Sequence, residues 1–142
     1  MVYQQKITVL SGKSTDLVKI TRRIKQIVEK AGIRSGIVAV VTLHTTTGIT
    51  VNEGLDCLES DIGAFMRKIV PDDDSYAHAH WLPTYGRTSA NAVSHLRSLL
   101  TGNHCVFPVC EGKMLLGAAQ DIYLAEYDGP QSREISVSVI GD

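Results

Sequence analysis

Residues 36–42, with the sequence GIVAVVT, restrict the fold of this chain more than any other segment. Apolar side chains occupy both alternating positions of the run, and most of them are β-branched. A strand of this kind is typical of the centre of a sheet that is covered on both faces. We therefore predict a central strand here, covered on each side, with His44 just beyond its end.

Two segments before and after this strand have the apolar spacing of amphipathic helices. The first is predicted to begin with an N-cap at Ser14 or Thr15 and to end at Gly32, which suits the left-handed position after a helix. The second runs from about residue 54 to residue 69 and stops before Pro71, because proline cannot continue the hydrogen-bond ladder. Its apolar stripe consists of Leu55, Leu58, Ile62, Phe65, Met66 and Ile69.

A third helix is predicted over residues 89–100, with Gly102 as its end. Val93, Leu96 and Leu100 are expected to point inward from it. His95 lies at the flank of this stripe, with one side packed and one side open to a cleft.

The remaining apolar segments are predicted as strands over residues 3–11, 104–110, 113–127 and 134–140. In the last of these, apolar and serine residues alternate as in a half-buried antiparallel strand. Helices and strands are mixed early and strands dominate late. This order favours an α+β fold, with helices packed on a mostly antiparallel sheet, in one domain over residues 1–142.

Composition excludes several classes of function. A formal net charge of −1 and the lack of a basic stripe argue against nucleic acid as a partner. No apolar run approaches the about 20 residues that span a bilayer, and no signal peptide is evident at the start.

Three cysteines fit a reducing, cytoplasmic compartment. We predict that Cys57, Cys105 and Cys110 are small buried residues, the latter two on opposite strand faces.

Histidines are the side chains most suited to chemistry in this chain, because neutral imidazole commonly binds transition metals. His44 is either a ligand at a strand end or a core histidine bonded to a backbone carbonyl. His78 and His80 share a face if their loop is extended, or merely reflect loop composition. His95 is either a cleft residue or a partly buried surface histidine. No metal-binding sequence motif accompanies them.

Several polar residues are further candidates, each with a plain structural alternative. Glu53, after Asn52, is an acid/base candidate or a cap of the second helix. Asp61 reaches a cleft or is simply hydrated. The run 72–74 (DDD) holds a magnesium diphosphate or is only solvated. Gln120 and Glu126 lie on the same strand face as Ile122 and Leu124, and polar groups on an apolar face are candidates for ligand contact. Arg133 is either a residue that binds an anion through its guanidinium or a surface arginine.

Together these residues resemble the YjbQ family, whose members are linked to a secondary thiamine-phosphate synthase activity. The resemblance covers nearly the whole chain. It rests on HTTTGITVNEG, Pro71, Asp72, Tyr76, His78, SHL around His95, Gly102, Pro108, LGAAQDIYLAE and SRE near Arg133. The chain departs from the family at Ala119, where a tryptophan is usual, and at Asn91, where an aspartate is common.

The resemblance implies a compact α+β homotrimer with metal-binding histidines in a cleft near a subunit boundary. By matching positions, it assigns the metal to His44, His78 and His95. It carries over Glu53 and Asp61, taken as catalytic, and Asn52, Gln120, Glu126 and Arg133, taken as substrate contacts. The expected cofactor is a divalent ion, zinc first, or magnesium with a diphosphate substrate. The expected partner is a small phosphorylated metabolite.

Three hypotheses of function follow. The first is a metal-dependent transferase that joins a pyrimidine diphosphate to a thiazole phosphate. The second is a non-catalytic trimeric module that binds a metal or a small anionic metabolite. In the third the histidines are structural and the function lies on another surface.

Overall fold

Two facing antiparallel sheets form the framework of the protein in a computed structural model that describes residues 1–79, 81–82, 86–87 and 90–142. The larger sheet has the strand order β1-β10-β3-β7-β8. Its strands are β1 (Val2–Leu10), β3 (Ser35–Thr42), β7 (His104–Cys110), β8 (Lys113–Met114) and β10 (Ser132–Gly141). The prediction of a central strand is thus confirmed, because β3 pairs with β10 on one side and β7 on the other.

The smaller sheet has the order β2-β9-β4. It consists of β2 (Asp16–Lys19), β9 (Gln120–Glu126) and β4 (Thr47–Glu53). Two further short strands, β5 (Trp81–Leu82) and β6 (Gly86–Arg87), pair antiparallel with each other. The predicted strand over residues 113–127 is in fact two strands, β8 and β9, in different sheets.

The main core lies between the two sheets. It takes Val38 and Val40 from the large sheet, and Ile122 and Leu124 from the small one. The first helix, α1 (Thr21–Ala31), adds Ile24, Ile27 and Val28 to the same core, as its apolar spacing predicts. The α+β class with antiparallel sheets and packed helices is therefore confirmed.

Helix α1 begins later than predicted, and the N-cap at Ser14 or Thr15 is wrong. Residues Asp16–Lys19 pair instead with β9, which would otherwise have an open edge on that side. Tertiary pairing overrides the local helical pattern here. The predicted end is confirmed, because Gly32 has a left-handed φ of 66°.

Strand β4 was not predicted. The sequence patterns predict no element between the central strand and the second helix, yet residues Thr47–Glu53 pair along their whole length with β9. Helix α2 (Asp56–Ile69) then starts after Leu55 without a side-chain cap. The alternative that Glu53 caps this helix is therefore wrong.

Helix α3 (Ala92–Thr101) lies with its polar face inward, which corrects the prediction for Leu96 and Leu100. Leu99 is 75% exposed and Leu100 is 53% exposed. The buried face carries polar residues that bond to backbone oxygens. Ser94 Oγ donates to Tyr127 O at 2.5 Å, and Ser98 Oγ donates to Thr47 O at 2.5 Å. Buried polar groups need such partners, so these bonds decide the orientation of the helix.

Other apolar surface is also uncovered within the chain. In α2 only Met66 is buried, while Phe65 is 59% exposed. On the other face of β3, Ile37 is 44% exposed, so the predicted cover on both faces is incomplete within one chain. Helices in the described part of the chain lack the length and apolar content that crossing a bilayer requires.

The cysteine prediction is only partly correct. Cys105 is half-buried, and burial raises the pKa of its thiol to about 11. Cys57 and Cys110 are exposed, contrary to the prediction. Cys105 and Cys110 do lie on opposite faces of β7, which stays regular through Pro108.

Gly48 is expected to be essential to the packing of α3 on β4. A β-carbon there would lie 2.5 Å from Thr101 Cγ2 and 2.8 Å from Gly102 O, so Gly48→Ala should lower the free energy of unfolding by about 1–3 kcal/mol. Chemical denaturation measures this value. The control Gly63→Ala in α2 meets only the end of Arg67 at 3.4 Å and should be neutral or stabilising by up to about 1 kcal/mol. An unchanged value for Gly48→Ala would contradict the described packing.

Candidate functional site

A buried ion pair closes one end of the space between the two sheets. Arg133 donates from Nε to Glu126 Oε1 at 2.8 Å and from Nη2 to Oε2 at 2.6 Å. Glu126 is fully buried and Arg133 is only 4% exposed, so the surface-arginine alternative is wrong. This two-pronged geometry is the strong form of an arginine–carboxylate contact.

The same carboxylate also ties loops to the pair. Ser11 Oγ donates to Oε1 at 2.6 Å, and the N–H of Asp128 donates to Oε2 at 3.1 Å. Arg133 Nη2 also donates to Thr46 Oγ1 at 2.9 Å, in the segment between β3 and β4. Each oxygen of Glu126 therefore accepts two bonds, which leaves no acceptor position for a substrate in this geometry.

The pKa of Glu126 reflects opposing effects. Burial alone would raise the pKa, but the hydrogen bonds from Arg133, Ser11 and Asp128 outweigh it, and the net effect lowers the pKa. The carboxylate is therefore ionised near neutral pH and balances the charge of Arg133.

His44 lies beside this pair, where β3 leaves β10. Its Nε2 accepts the N–H of Glu134 at 2.8 Å. Burial and the nearby charge of Arg133 lower the pKa of His44, although Glu134 and Glu126 oppose the shift. The predicted alternative of a bond to a backbone carbonyl is thus replaced by a bond from a backbone N–H.

His78 and His95 lie next to each other at the same end. Their ring centroids are 4.8 Å apart, with the planes tilted by 52°. His95 follows Ser94, which binds Tyr127 at the end of β9. Asn91, one turn earlier, donates to Asp128 Oδ2 at 2.9 Å. The remaining candidate of this group, His80, falls outside the described residues.

Arg97 is a site residue that sequence reasoning missed. It lies buried on the inner face of α3 and donates from Nη2 to Val70 O at 2.8 Å and to Asp72 Oδ1 at 3.1 Å. Within the described residues its buried Nε has no hydrogen-bond partner. The available signal was a second helical spacing in α3, formed by Ser94, Arg97, Ser98 and Thr101. The bond to Asp72 anchors the start of the acidic run to α3.

A second group of predicted residues lies far from the histidines. Asn52, Glu53 and Gln120 are all exposed, and Glu53 pairs with Gln120 at one end of the small sheet. Gln120 Oε1 accepts the N–H of Gly117 at 2.8 Å, and Asn52 Oδ1 accepts the N–H of Glu53 at 2.9 Å. Asp61 is exposed on α2.

The length of β4 separates the two groups. At the opposite end from the Glu53–Gln120 pair, Thr47 pairs with Glu126. Six residue steps along a strand span about 20 Å. The structure therefore brings His44, His78, His95, Glu126 and Arg133 to one end, and leaves Asn52, Glu53 and Gln120 at the other.

The described donors of a single chain do not form a three-ligand metal cluster by themselves. No group of three His, Cys, Asp or Glu side chains suited to a metal occurs in the part of the chain that the structure describes. His78 and His95 are close enough to share one ion, but His44 already uses Nε2. Two imidazoles would leave further coordination positions for other ligands.

A separate cavity of about 530 Å³ lies between β2 and α2. Its lining includes Asp16, Glu59, Arg67 and Tyr127. The predicted site residues are not part of this lining. Tyr123 donates to Glu59 Oε2 at 2.8 Å beneath it, and burial with this bond raises the pKa of the Tyr123 hydroxyl.

Comparison with known proteins gives a consistent result over the whole chain. Residues 5–142 match a family model described as UPF0047 protein YjbQ-like. A UPF0047 protein of Methanothermobacter thermautotrophicus is 39% identical over 99% of this chain and 93% of its own length. The UPF0047 protein YugU of Bacillus subtilis is 30% identical over 95% of this chain and 97% of its own length.

Solved structures are similar as well. A YbjQ-like protein of unknown function from Sulfolobus solfataricus superposes with a TM-score of 0.91 and 36% identity, covering 100% of this chain and 99% of that one. A hypothetical protein from Aeropyrum pernix has a TM-score of 0.88 and 26% identity, covering 99% of each chain.

Removing the charge of Glu126 should destabilise the protein strongly. Glu126→Gln leaves the guanidinium of Arg133 buried without its counter-charge, so the free energy of unfolding should fall by about 3–5 kcal/mol at neutral pH. Chemical denaturation measures the loss. The matched variant Glu126→Leu/Arg133→Met removes both charges and should lose less. Equal losses in the two variants would contradict a dominant role for the charge.

Acid titration of the wild type and of Glu126→Leu/Arg133→Met gives a second measure of this contribution. The lowered pKa of Glu126 means that its contribution is complete above the ordinary glutamate value of 4.5 and is lost as pH falls through the folded-state pKa. Unfolding free energy should therefore drop more steeply below that value in the wild type than in Glu126→Leu/Arg133→Met. Parallel curves would show that Glu126 makes no such contribution.

Proposed function

This chain belongs to the UPF0047 family of YjbQ-like proteins, and we propose that it is an enzyme that acts on a small phosphorylated metabolite at a site shared between identical subunits. The observation that carries the proposal is the division of the candidate residues between two ends of the small sheet, about 20 Å apart. They can act on one small molecule only if the ends belong to different copies.

The exposed apolar face of α3 supports assembly with further copies. Leu96, Leu99 and Leu100 form a contiguous patch beside His95 on the same helix. Such patches on a surface otherwise rimmed by polar residues mark contact sites. When one end of a copy contacts the opposite end of the next copy, the contact is head-to-tail. Such contacts close into a ring when the rotation between copies allows it. We propose the homotrimer that the family resemblance implies.

His78 and His95 are proposed to hold a divalent ion, zinc first, with magnesium as the alternative when a diphosphate is bound. Such an ion would supply charge stabilisation for an anionic leaving group. Two adjacent imidazoles suit this role, since neutral ring nitrogens are common ligands. Arg97 and Asp72 hold the neighbouring loop against α3.

Glu53 and Asp61 are the proposed acid/base residues. Asn52 and Gln120 are the proposed polar contacts to the substrate, and they come with Glu53 from the opposite end of the small sheet in a neighbouring copy. All four are exposed, so their side chains are accessible to such a ligand. Glu126 and Arg133 are bonded to each other, and their proposed role is to position the loop that carries His44.

The proposed reaction is that of a thiamine-phosphate synthase. The ring nitrogen of a thiazole phosphate attacks the methylene carbon of a pyrimidine diphosphate, a carbon–nitrogen bond forms, and the carbon–oxygen bond to diphosphate breaks. Positive groups at the site would favour the departure of diphosphate. A non-catalytic trimeric module is the alternative outcome of the tests below.

Replacing Leu99 by serine should reduce the oligomer mass and leave the subunit folded, because this side chain is largely outside the core of its own chain. Light scattering after size exclusion measures the mass, and circular dichroism verifies the fold. The matched control Leu115→Ser removes another largely exposed leucine, 63% exposed against 75% for Leu99, that lies outside the helices, and it should keep the mass of the wild type. A monomeric wild type would contradict the shared site.

His95→Ala should abolish stoichiometric zinc and turnover of the two thiamine precursors. Elemental analysis measures the metal, and product formation measures the reaction. His104→Ala is the control, since His104 is exposed and bonds only to its neighbour Asn103 in the described structure. Zinc binding without product, unaffected by Glu53→Gln, would favour the module. Unchanged zinc in His95→Ala would remove His95 from the site.

A further inference from the structure

The imidazole of His44 takes the place of a backbone carbonyl at the end of a strand pair. Strand β3 pairs with β10 as far as Thr42 and Ile135, and Leu43 still donates its N–H to Glu134 O at 3.2 Å. The chain then leaves the sheet. The N–H of Glu134, which would otherwise lose its partner, donates to His44 Nε2 at 2.8 Å.

This bond determines which ring nitrogen carries the hydrogen. A backbone N–H can only donate, so Nε2 must offer its lone pair and cannot itself be protonated. In a neutral imidazole the single hydrogen is then on Nδ1. Turning the ring over would place a carbon against the Glu134 N–H, so the assignment follows from the contact itself.

Nδ1 is the open side of the ring. Among the described residues nothing accepts a hydrogen bond from it, and the residue is only half-buried. Among the charged groups near the ring, Arg133 has the largest effect on its pKa, ahead of the carboxylates of Glu134 and Glu126, which oppose it. An N–H donor next to a guanidinium is suited to an anionic oxygen.

We propose that His44 is a hydrogen-bond donor to an anionic oxygen of the ligand, through Nδ1–H, and that it is not a ligand of the metal. The inference about the ligand rests on the proposed function, whereas the assignment of the hydrogen to Nδ1 does not. A metal on Nε2 would have to displace the N–H of Glu134. A metal on Nδ1 would require the ring to lose its hydrogen, because the bond between Nε2 and the Glu134 N–H places that hydrogen on Nδ1.

Nitrogen NMR of the histidine rings tests the assignment directly. Long-range correlations separate a protonated ring nitrogen from an unprotonated one, and the His44 signals are identified by their loss in His44→Gln. The expected pattern is protonated Nδ1 and unprotonated Nε2. The reverse pattern, or two protonated nitrogens at neutral pH, would overturn the proposal.

Zinc titration in the same spectra separates this proposal from the metal site. Signals of His78 and His95 should shift on adding zinc, while Nδ1 and Nε2 of His44 keep their pattern. Zinc-induced loss of the Nδ1 hydrogen of His44 would overturn the inference. If zinc changes no histidine, the proposed metal site fails, and a retained Nδ1–H pattern still supports the assignment for His44.

Two substitutions separate the two nitrogens chemically. Asparagine places an amide N–H near the position of Nδ1, and glutamine places an amide oxygen near that of Nε2. With inorganic phosphate as the probe, His44→Asn should bind within about 3-fold of the wild type, whereas His44→Gln should bind about 10-fold or more weakly, the usual loss for a bond to a charged group.

Melting temperatures should show the opposite order. His44→Gln keeps an acceptor for the Glu134 N–H and should melt near the wild type, while His44→Asn should melt lower. This comparison also shows that both variants fold. Equal loss of phosphate affinity in the two variants, or stronger binding by His44→Gln, would overturn the proposed role.

Discussion

The buried pair of Glu126 and Arg133 is the contact on which the end of the molecule near the histidines depends. It joins β9 of the small sheet to β10 of the large one, and its remaining bonds hold Ser11, Thr46 and the turn after β9. A buried ion pair of this kind is not an efficient source of stability compared with apolar packing. Its effect here is geometric, since it holds loops from different parts of the chain in one arrangement beside His44.

The orientation of the outer helices follows from the same need to satisfy buried polar groups. Helix α3 turns serines and Arg97 toward backbone oxygens of its neighbours, and its leucines are left outside. The main core between the sheets consists of residues from α1, the strands and their loops, and among the described residues none of α3 belongs to it. The consequence is an apolar patch that lies beside His95 on the same helix, which links the proposed subunit contact to the candidate site.

Local patterns predicted much of the fold because they are set by neighbours in sequence. Alternating valines made β10 recognisable, and Gly32 marked the end of α1 through its left-handed backbone. The missed strand β4 and the late start of α1 have a common cause. Both β2 and β4 flank β9, and short strands of this kind are stabilised by a partner far away in the chain rather than by their own residues.

The candidate residues show the same division. Sequence alone determined the family, the α+β class and the residue types that carry chemistry, because motifs and apolar spacing are properties of the chain itself. Only the tertiary structure decided that Glu126 and Arg133 bind each other, that Arg97 is buried, and that Asn52 and Glu53 lie a whole strand length from the histidines. The physical reason is that such contacts join residues distant in sequence, and their geometry depends on how the sheets pack and on which buried polar groups must find partners.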